Sequence, residues 1–273
     1  MRRAAWVVLA TWVAWVAGVC SAWGQAPGAS VFQPSQPVLS AGEVKSGLHF
    51  AGSDVQALQA DEWGNPMQAL LQHGQSLWTR REAAGRSCAD CHGQVRDSMA
   101  GVAARLPAWS PTQGRVTALE DRIRDCQATR QHRPPDAFES TDLLALTAWV
   151  TSASQGMAMS PVLVKEEVAA LQRAEADYHQ RQGLLNLACV HCHQQMAGKR
   201  LLNDPLSQGQ SNAYPLYRLE WQAVGSLERR LRSCFNGVKA ELPPWGSARM
   251  RELALYLRWR AQGLPVELPA VRK

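Results

Sequence analysis

The chain has 273 residues, of which 46% are hydrophobic and 19% are charged, a balance that suits a globular protein with a hydrophobic core. Its net charge of +6 at pH 7 is modest. The basic residues form no run interleaved with aromatic residues, so a nucleic-acid-binding protein is not indicated. An anionic small substrate or an acidic protein partner is compatible with this charge.

Residues 1–24 have the order of a secretory signal peptide. Met1 is followed by two arginines, an apolar run reaches Val19, and small residues follow at Ala22 and Gly24. The alternative is an uncleaved membrane anchor, because the apolar run approaches the length that spans a bilayer. The polar stretch that follows favours cleavage. We therefore expect an exported protein of the bacterial periplasm, without stable membrane insertion.

The rest of the chain divides by composition. Residues 25–59 are rich in Pro, Gly, Ser and Gln with weak periodicity, and we interpret them as an extended N-terminal arm lying on the folded body. A first domain is predicted over residues 60–155 and a second over 166–273. The segment 156–165 between them is typical of a linker.

The motif C-x-x-C-H occurs twice, at 88–92 and at 189–193. Its two thiols can form thioethers with both vinyl groups of one porphyrin, and the adjacent histidine can bind the iron. The alternatives are a zinc knuckle and a redox C-x-x-C. Zinc would need four closed ligands, and a histidine that directly follows the second cysteine is poorly placed to supply one. We therefore predict two covalently bound haem c groups, with these attachment cysteines and iron-binding histidines: Cys88, Cys91 and His92; Cys189, Cys192 and His193.

Each motif is followed by similar segments about a hundred residues apart, which predicts an internal duplication. A charged segment ends in a lone cysteine, Cys126 in the first copy and Cys234 in the second. A leucine-rich segment with apolar residues at helical spacing then closes each copy. The fold prediction is mainly α, with two tandem class I cytochrome c-like domains and the N-terminal arm. The predicted helices that flank the motifs are 69–86, 142–149, 165–187 and 252–259.

Cys126 and Cys234 are candidates for the distal iron ligands. Other cytochromes place methionine or histidine there, and three methionines could serve: Met157, Met159 and Met250. The two cysteines could also form one disulfide in an oxidising compartment. Equivalent residues of two domains should, however, occupy equivalent places. We therefore predict that Cys126 binds the first iron and Cys234 the second.

Arg230 lies four residues before Cys234, so on a helix the two side chains share one face. A guanidinium there can bind a small oxyanion through paired hydrogen bonds, and we predict this role for Arg230. The alternative is that the arginines near both cysteines form a solvated face or contact haem propionates. These arginines are Arg122, Arg124, Arg229 and Arg232.

The chain resembles the SoxA family, the dihaem subunits of the SoxAX cytochrome complexes of bacterial sulfur oxidation. The resemblance covers nearly the whole chain after the leader and is most specific in the second half. It is carried by the segments 88–93, 99–102, 183–193, 213–219, 229–234 and 255–265.

The resemblance implies an L-cysteine S-thiosulfotransferase. The family couples thiosulfate oxidatively to a cysteine of the carrier SoxYZ and passes the electrons to haem, with the monohaem subunit SoxX as partner. It implies that Cys234 is the catalytic, persulfide-bearing cysteine and that Arg230 contacts substrate, with Arg260 a further candidate. Lys239 departs from the family pattern, where we expect arginine, and one ammonium cannot make the same forked contact.

Two other functions remain open from the residues. One is a dihaem thiosulfate dehydrogenase that releases tetrathionate, and the other is a non-catalytic dihaem electron carrier. A simple carrier has no need of a thiol paired with arginine, so Cys234 and Arg230 argue against it. The similarity over the C-terminal half favours the transferase over the dehydrogenase.

Overall fold

A computed structural model describes residues 31–82, 85–160 and 162–273, so the predicted signal peptide lies outside the described residues. The described part is mainly helical, as predicted. Its helices are α1 (Ser53–Ala60), α2 (Gln68–Thr79), α3 (Cys88–His92), α4 (Val95–Ser98), α5 (Val102–Arg105), α6 (Leu119–Thr129), α7 (Thr141–Ser152), α8 (Lys165–His179), α9 (Leu227–Gly237) and α10 (Ala248–Arg260). The strands are β1 (Ala108–Ser110), β2 (Arg115–Thr117), β3 (Arg200–Leu201), β4 (Asp204–Pro205), β5 (Leu216–Arg218), β6 (Ala223–Gly225) and β7 (Val271–Arg272).

The strands are short, with two or three residues each. β1 pairs with β2 and β3 with β4, both antiparallel. β5 lies between β6, to which it is antiparallel, and β7, to which it is parallel. Each of the hairpins β1–β2 and β5–β6 comes directly before a cysteine-bearing helix, α6 and α9 respectively.

In the first half, α2 packs closely on α7. Gly74 makes this approach possible, because a Cβ at that position would overlap the carbonyl of Ala145 and the Cβ of Trp149. The hydroxyl of Ser140 caps the start of α7 by accepting a hydrogen bond from the Leu143 amide at 3.4 Å. The centre of α7 is buried almost all round, so it forms the core of this half.

In the second half, α8 packs on α10 through aromatic side chains. Tyr178 of α8 lies 5.4 Å from Tyr256 of α10, measured between ring centroids. Trp259 stacks on Tyr256 at 5.7 Å, and Phe32 meets Trp259 edge-on at 4.8 Å. Such offset and edge-on pairs stabilise a core beyond the area that they bury.

Two predicted helices end earlier than their hydrophobic pattern suggests. The helix predicted over 69–86 ends at Thr79, and the one predicted over 165–187 ends at His179. After the second, Gly183 has φ of +64° and lies against the backbone of Val238 and Lys239, so closely that a Cβ would overlap it. A helix cannot hold that conformation, so the chain turns here to meet the end of α9.

The segment before α1 lies on the second half of the chain. Phe32 is buried there, and the amide and hydroxyl of Ser35 donate to the Glu175 carboxylate at 2.8 and 2.9 Å. The end of the predicted arm, 25–59, is helical rather than extended, because α1 occupies most of its last eight residues.

The two halves interlock through the C-terminal tail. After α10 the chain crosses to the first half, where Leu268 packs with Met67 and Ala148. The Val271 amide donates to the side chain of Gln59 at 3.0 Å. The segment predicted as a linker also holds this tail, since the Met159 amide donates to the Leu264 carbonyl at 2.8 Å. The last residues of the predicted second domain therefore pack on the predicted first one.

A buried ionic cluster joins the two cysteine helices. Arg251 of α10 lies 2.6 Å from Asp121 of α6 and 2.6 Å from Glu228 of α9. All three residues are buried. Because buried charges are costly unless they are paired, this guanidinium neutralises carboxylates from both halves and fixes α6 relative to α9.

We expect Arg251→Met to lower the free energy of unfolding by about 3–5 kcal/mol, because it leaves two carboxylates buried without their cation. Urea unfolding of the purified protein measures this change. The control is Arg173→Met, which removes the ion pair of a largely exposed arginine with Glu252 and should cost less than about 1 kcal/mol. Equal small losses in the two variants would contradict the structural role of the cluster.

Among the described residues, no helix combines the length and the hydrophobicity that a membrane crossing requires.

Candidate active site

The second C-x-x-C-H segment holds its histidine in a fixed orientation. His193 lies on a single π-helical turn, His191–Gln195, and its Nδ1 is 2.9 Å from the Ser207 carbonyl. The ring also lies flat against Gly209, where a Cβ would come within 3.0 Å of the imidazole. Because the Ser207 carbonyl engages Nδ1, Nε2 is the nitrogen that remains to serve as a ligand atom.

Cys234 lies opposite His193. The thiol is on α9, whose start is capped by the Ser226 hydroxyl accepting from the Arg229 amide at 3.1 Å. A hydrogen bond joins Cys234 to His193, and its charge also acts on the nearby thiols of Cys189 and Cys192. Helix α9 and the second C-x-x-C-H segment thus bring together all four residues that the sequence analysis assigned to the second haem.

Charge distinguishes Cys234 from the other thiols. Burial alone would raise the pKa of its thiol, but Arg230, the hydrogen bond from His193 and the charge of Arg218 outweigh burial and lower it to about 7. Burial, with repulsion from Cys234, raises the pKa of Cys189 to about 12. Cys234 is therefore the thiol that its surroundings favour as a thiolate.

Arg230 has a free guanidinium beside this sulfur. It lies one helical turn before Cys234, and its charge interacts most strongly with Cys234 and with the phenol of Tyr214. Among the described residues, its side chain makes no hydrogen bond and no ion pair. A partly buried arginine without a carboxylate partner is suited to bind an anion that arrives from solution.

Two further residues of this site were not predicted. Arg218 on β5 is buried, donates twice to Glu220 at 2.9 and 2.6 Å, and adds positive charge near Cys234. Tyr214 lies near both Arg230 and Cys234, and burial raises the pKa of its phenol. Both belong to the segment 213–219 that carries the resemblance, which is the signal that could have identified them.

The first C-x-x-C-H segment is built on α3. Ser87 caps this helix, its hydroxyl accepting from the Asp90 amide at 3.1 Å. Trp78 fixes the far end by donating to the Gly93 carbonyl at 2.9 Å, and its ring lies 5.8 Å from that of His92. Cys126 is close enough for its charge to raise the pKa of Cys88, which burial raises to about 11.

The surroundings of Cys126 differ from those of Cys234. Burial and the neighbouring carboxylate of Asp125 raise the pKa of the Cys126 thiol. Arg122, which corresponds to Arg230, is engaged: its Nε donates to the Thr117 hydroxyl at 2.7 Å. The charges of Arg130 and Arg122 lower the pKa of the Cys126 thiol but do not outweigh burial and Asp125, in contrast to the balance at Cys234.

The structure also shows where the alternatives to Cys126 and Cys234 as iron ligands lie. The six cysteines of the described residues are all unpaired, and Cys126 and Cys234 lie in separate clusters, which disagrees with a disulfide between them. Met159 and Met250 are buried in hydrophobic clusters with other core residues. Met157 is largely exposed.

The resemblance also singled out Arg260, as a further substrate-binding candidate, and Lys239, as a departure from the family pattern. Arg260 is buried, stacks on Tyr178 at 4.5 Å and donates to Gln194 at 3.2 Å. Lys239 is exposed just beyond the end of α9, with φ of +59°. The Nε and one Nη of Arg260 are buried without a hydrogen-bond partner, so a role of this guanidinium in substrate binding stays a prediction.

These residues fit covalent haem. Two unpaired thiols, one imidazole with its outer nitrogen fixed and a further thiol facing it are the donors that c-type attachment and axial ligation require. Fold and site together define a c-type cytochrome. Residues 73–159 match the family described as the SoxA/TsdA cytochrome c domain.

Comparison over the whole chain identifies the family. A relative from Pseudaminobacter salicylatoxidans, named L-cysteine S-thiosulfotransferase subunit SoxA, is 34% identical over 84% of this chain and 80% of its own. The protein of the same name from Rhodovulum sulfidophilum is 33% identical over 84% of this chain and 80% of its own. The crystal structure of SoxXA from Paracoccus pantotrophus matches with a TM-score of 0.80 at 29% identity, covering 84% of this chain and 87% of that one. The chain belongs to the SoxA family, as the sequence predicted.

Proposed function

We propose that this protein is an L-cysteine S-thiosulfotransferase subunit, which couples thiosulfate oxidatively to a cysteine of a SoxYZ carrier. The observation that carries the proposal is the Cys234 thiol held between the free guanidinium of Arg230 and the imidazole of His193. The relatives are named L-cysteine S-thiosulfotransferase subunits, which supports the transferase part of the proposal. The site thus combines a nucleophilic sulfur, a cation for a dianionic substrate and the donors for a haem.

Two haem c groups would be held by the two motifs. The thiols of each C-x-x-C pair would attach the porphyrin. His92 and Cys126 would bind the first iron, and His193 and Cys234 would bind the second. When bound, the haem supplies an electron sink next to the reacting sulfur. The protein fixes the ligands through Ser207 and Gly209 on His193 and through α9 on Cys234.

The protein first binds thiosulfate beside Cys234. Thiosulfate is a dianion, and the side chain of Arg230 can donate two parallel hydrogen bonds to its sulfonate oxygens. Arg218 adds a second positive charge, and Tyr214 lies beside both Arg230 and Cys234. The sulfonate held at Arg230 directs the outer sulfur of thiosulfate towards Cys234, one helical turn away.

Cys234 then serves as the covalent relay, with its sulfur extended as a persulfide. A sulfur–sulfur bond forms between this terminus and the outer sulfur of thiosulfate, and two electrons leave. The carrier thiol attacks that outer sulfur and displaces the relay. Summed, a carrier thiol and thiosulfate give a carrier S-thiosulfonate, one proton and two electrons, and Cys234 is regenerated.

The comparisons support one of the proposed partners. The related crystal structure contains SoxXA, so we propose a SoxX-like cytochrome as the partner subunit that accepts the electrons. The name of the relatives, an L-cysteine S-thiosulfotransferase subunit, supports thiosulfate as substrate, and the carrier SoxYZ is the partner that the resemblance to the SoxA family implies. Maturation of covalent haem requires export, which supports a cleaved leader at residues 1–24 and a periplasmic location.

We also propose that the two halves descend from one duplicated cytochrome unit, with domains near 60–155 and 166–273. In each half a long helix, a C-x-x-C-H turn, a β-hairpin, a cysteine helix and a closing helix follow in the same order. The arm before residue 60 and the C-terminal tail then bind the two units together.

The deciding experiment uses the protein purified with its partner cytochrome, a carrier protein with a reactive cysteine, thiosulfate and an electron acceptor. We expect the carrier mass to rise by one thiosulfate as the acceptor is reduced. Production of tetrathionate with an unmodified carrier would instead identify a thiosulfate dehydrogenase. Electron transfer without either product would identify an electron carrier.

The haem content gives an independent prediction. Mass spectrometry of the mature protein, expressed with cytochrome maturation enzymes, should show two covalent haems. Cys88→Ala and Cys189→Ala should each lower the stoichiometry of two-thioether haem by one, because each motif serves its own porphyrin. A wild-type protein with one haem or none would contradict the dihaem assignment.

A further inference from the structure

Arg260, the last residue of α10, is a buried cation that has no carboxylate partner among the residues that the structure describes. Its side chain is 6% exposed. Its Nη1 donates to the Gln194 side chain at 3.2 Å, but its Nε and Nη2 are buried with no hydrogen-bond partner. The other buried arginines of this helix, Arg251 and Arg258, each contact a buried carboxylate. Because a buried charge is costly unless it is paired, the unpaired state of Arg260 calls for an explanation.

Two tyrosine rings hold the guanidinium in the place of a carboxylate. The Cζ of Arg260 lies 4.5 Å from the ring centroid of Tyr178 and 5.9 Å from that of Tyr256. The face of an aromatic ring attracts a cation without neutralising it. Burial raises the pKa of both phenols, so they stay uncharged. Glu175 lies near the Tyr256 phenol, but its two oxygens accept from the amide and the hydroxyl of Ser35. No bonded anion therefore cancels the charge of Arg260.

The guanidinium lies against the second C-x-x-C-H segment. Gln194, which accepts from Arg260, directly follows His193, the predicted ligand of the second iron. Cys189 packs against the hydrophobic cluster that contains Tyr178. The cysteines of the motif attach the vinyl edge of a porphyrin, and the propionates leave from the opposite edge. A cation beside the attachment cysteines is therefore close to the proposed haem without being placed to pair with its propionates.

The first half has an uncharged side chain at the corresponding place. The residue that follows the tryptophan of the closing helix is Val150 in the first copy and Arg260 in the second. Val150 is buried in a hydrophobic cluster with Trp78, and Cys88 packs against this cluster. The same three-way contact joins the closing helix, an aromatic residue of the preceding helix and the first attachment cysteine in both halves. It is hydrophobic in the first half and contains a cation in the second.

We infer that Arg260 tunes the second haem: its buried, unpartnered charge raises the midpoint potential of that haem above the value that an uncharged side chain would give. An electron added to the iron lowers the local charge by one unit, and a nearby cation favours that reduced state. An anionic sulfur ligand such as Cys234 acts in the opposite direction. Arg260 thus keeps the second haem able to accept electrons from the sulfur coupling step. The inference rests on the proposed function only for the haem and the source of these electrons.

The test is a potentiometric titration of the purified haem protein, in which electron paramagnetic resonance follows each ferric haem separately. Arg260→Val introduces the residue of the first half. We expect the midpoint potential of the second haem to fall by an amount equal to a three- to tenfold change in its reduction equilibrium, about 30–60 mV for one electron. The potential of the first haem should stay the same. Arg260→Lys should keep most of the wild-type value, because it keeps the charge.

The matched control is Arg173→Val, which removes the same charge from a largely exposed side chain of α8 and should leave both potentials unchanged. If Arg260→Val fails to retain the second haem, Arg260→Gln gives the same comparison with a polar side chain. A second-haem potential that is unchanged or raised in the neutral variant, or that falls equally in Arg260→Lys or Arg173→Val, would overturn the inference.

The transfer assay separates this inference from the proposed function. If the wild type forms the carrier adduct but the neutral variant has an unchanged potential, the tuning role alone fails. If the potential falls but the wild type forms no adduct, the proposed function alone fails. A higher KM for thiosulfate at an unchanged potential would instead identify Arg260 as a substrate ligand and overturn its tuning role.

Discussion

Replacement of Cys234 by alanine should abolish thiosulfate transfer while both haems remain attached. The substitution removes the sulfur that relays the thiosulfate group but leaves the thioether cysteines and His193 in place. Loss of a covalent relay costs about 10⁴-fold or more in kcat. Transfer of thiosulfate to a carrier cysteine, followed by mass spectrometry of the carrier, measures the loss, and the haem content of the same sample reports attachment.

Cys126→Ala is the matched control, because it removes the corresponding sulfur of the first half. It should change the absorption spectrum of the first haem and leave most of the transfer activity. Mass spectrometry should also find the additional persulfide sulfur on the peptide that contains Cys234. Turnover that survives Cys234→Ala, or falls equally in both variants, would mean that Cys234 is not the relay.

The sequence predicted best what has a fixed spacing or a helical period. The structure has helical turns at the two C-x-x-C-H motifs. It also has the cysteine helices and the closing helices at the positions that their sequence patterns predicted. The pairing of Arg230 with Cys234 also followed from one helical turn, since α9 keeps the register of that segment. Helix ends were predicted less well, because hydrophobic periodicity continues past the turn that Gly183 makes against Val238.

Contacts between distant segments could not be predicted. The Ser207 carbonyl fixes His193 across fourteen residues, and Arg251 joins Asp121 to Glu228 across more than a hundred. Neither contact leaves a periodic signature in the sequence. The return of the C-terminal tail to Met67 is of the same kind, because it depends on how the halves pack. Contacts of this kind also make the surroundings of the two cysteines differ, since the pKa of the Cys234 thiol is lowered and that of Cys126 is raised.

Replacement of Arg230 by alanine should lower kcat/KM for thiosulfate by about two to four orders of magnitude, with haem content unchanged. Its guanidinium has no partner among the described residues, so its removal leaves no unpaired carboxylate behind. The loss of kcat/KM therefore reports substrate binding. A charge-assisted contact in a partly desolvated site is worth about 3–5 kcal/mol, and each 1.36 kcal/mol corresponds to a factor of ten. Steady-state transfer kinetics over a range of thiosulfate concentrations measure the change.

Arg122→Ala is the control that decides between substrate binding and support of the fold. Arg122 occupies the corresponding turn before Cys126, but its side chain donates to Thr117 at 2.7 Å and holds the β1–β2 hairpin. Its removal should therefore affect stability more than kcat/KM. Arg230→Lys should recover only part of the activity, because one ammonium keeps the charge but loses the paired hydrogen bonds. Equal losses of kcat/KM in the Arg122 and Arg230 variants would mean that both arginines stabilise the fold or bind haem propionates. The cluster around Cys234 would then no longer be assigned as the active site.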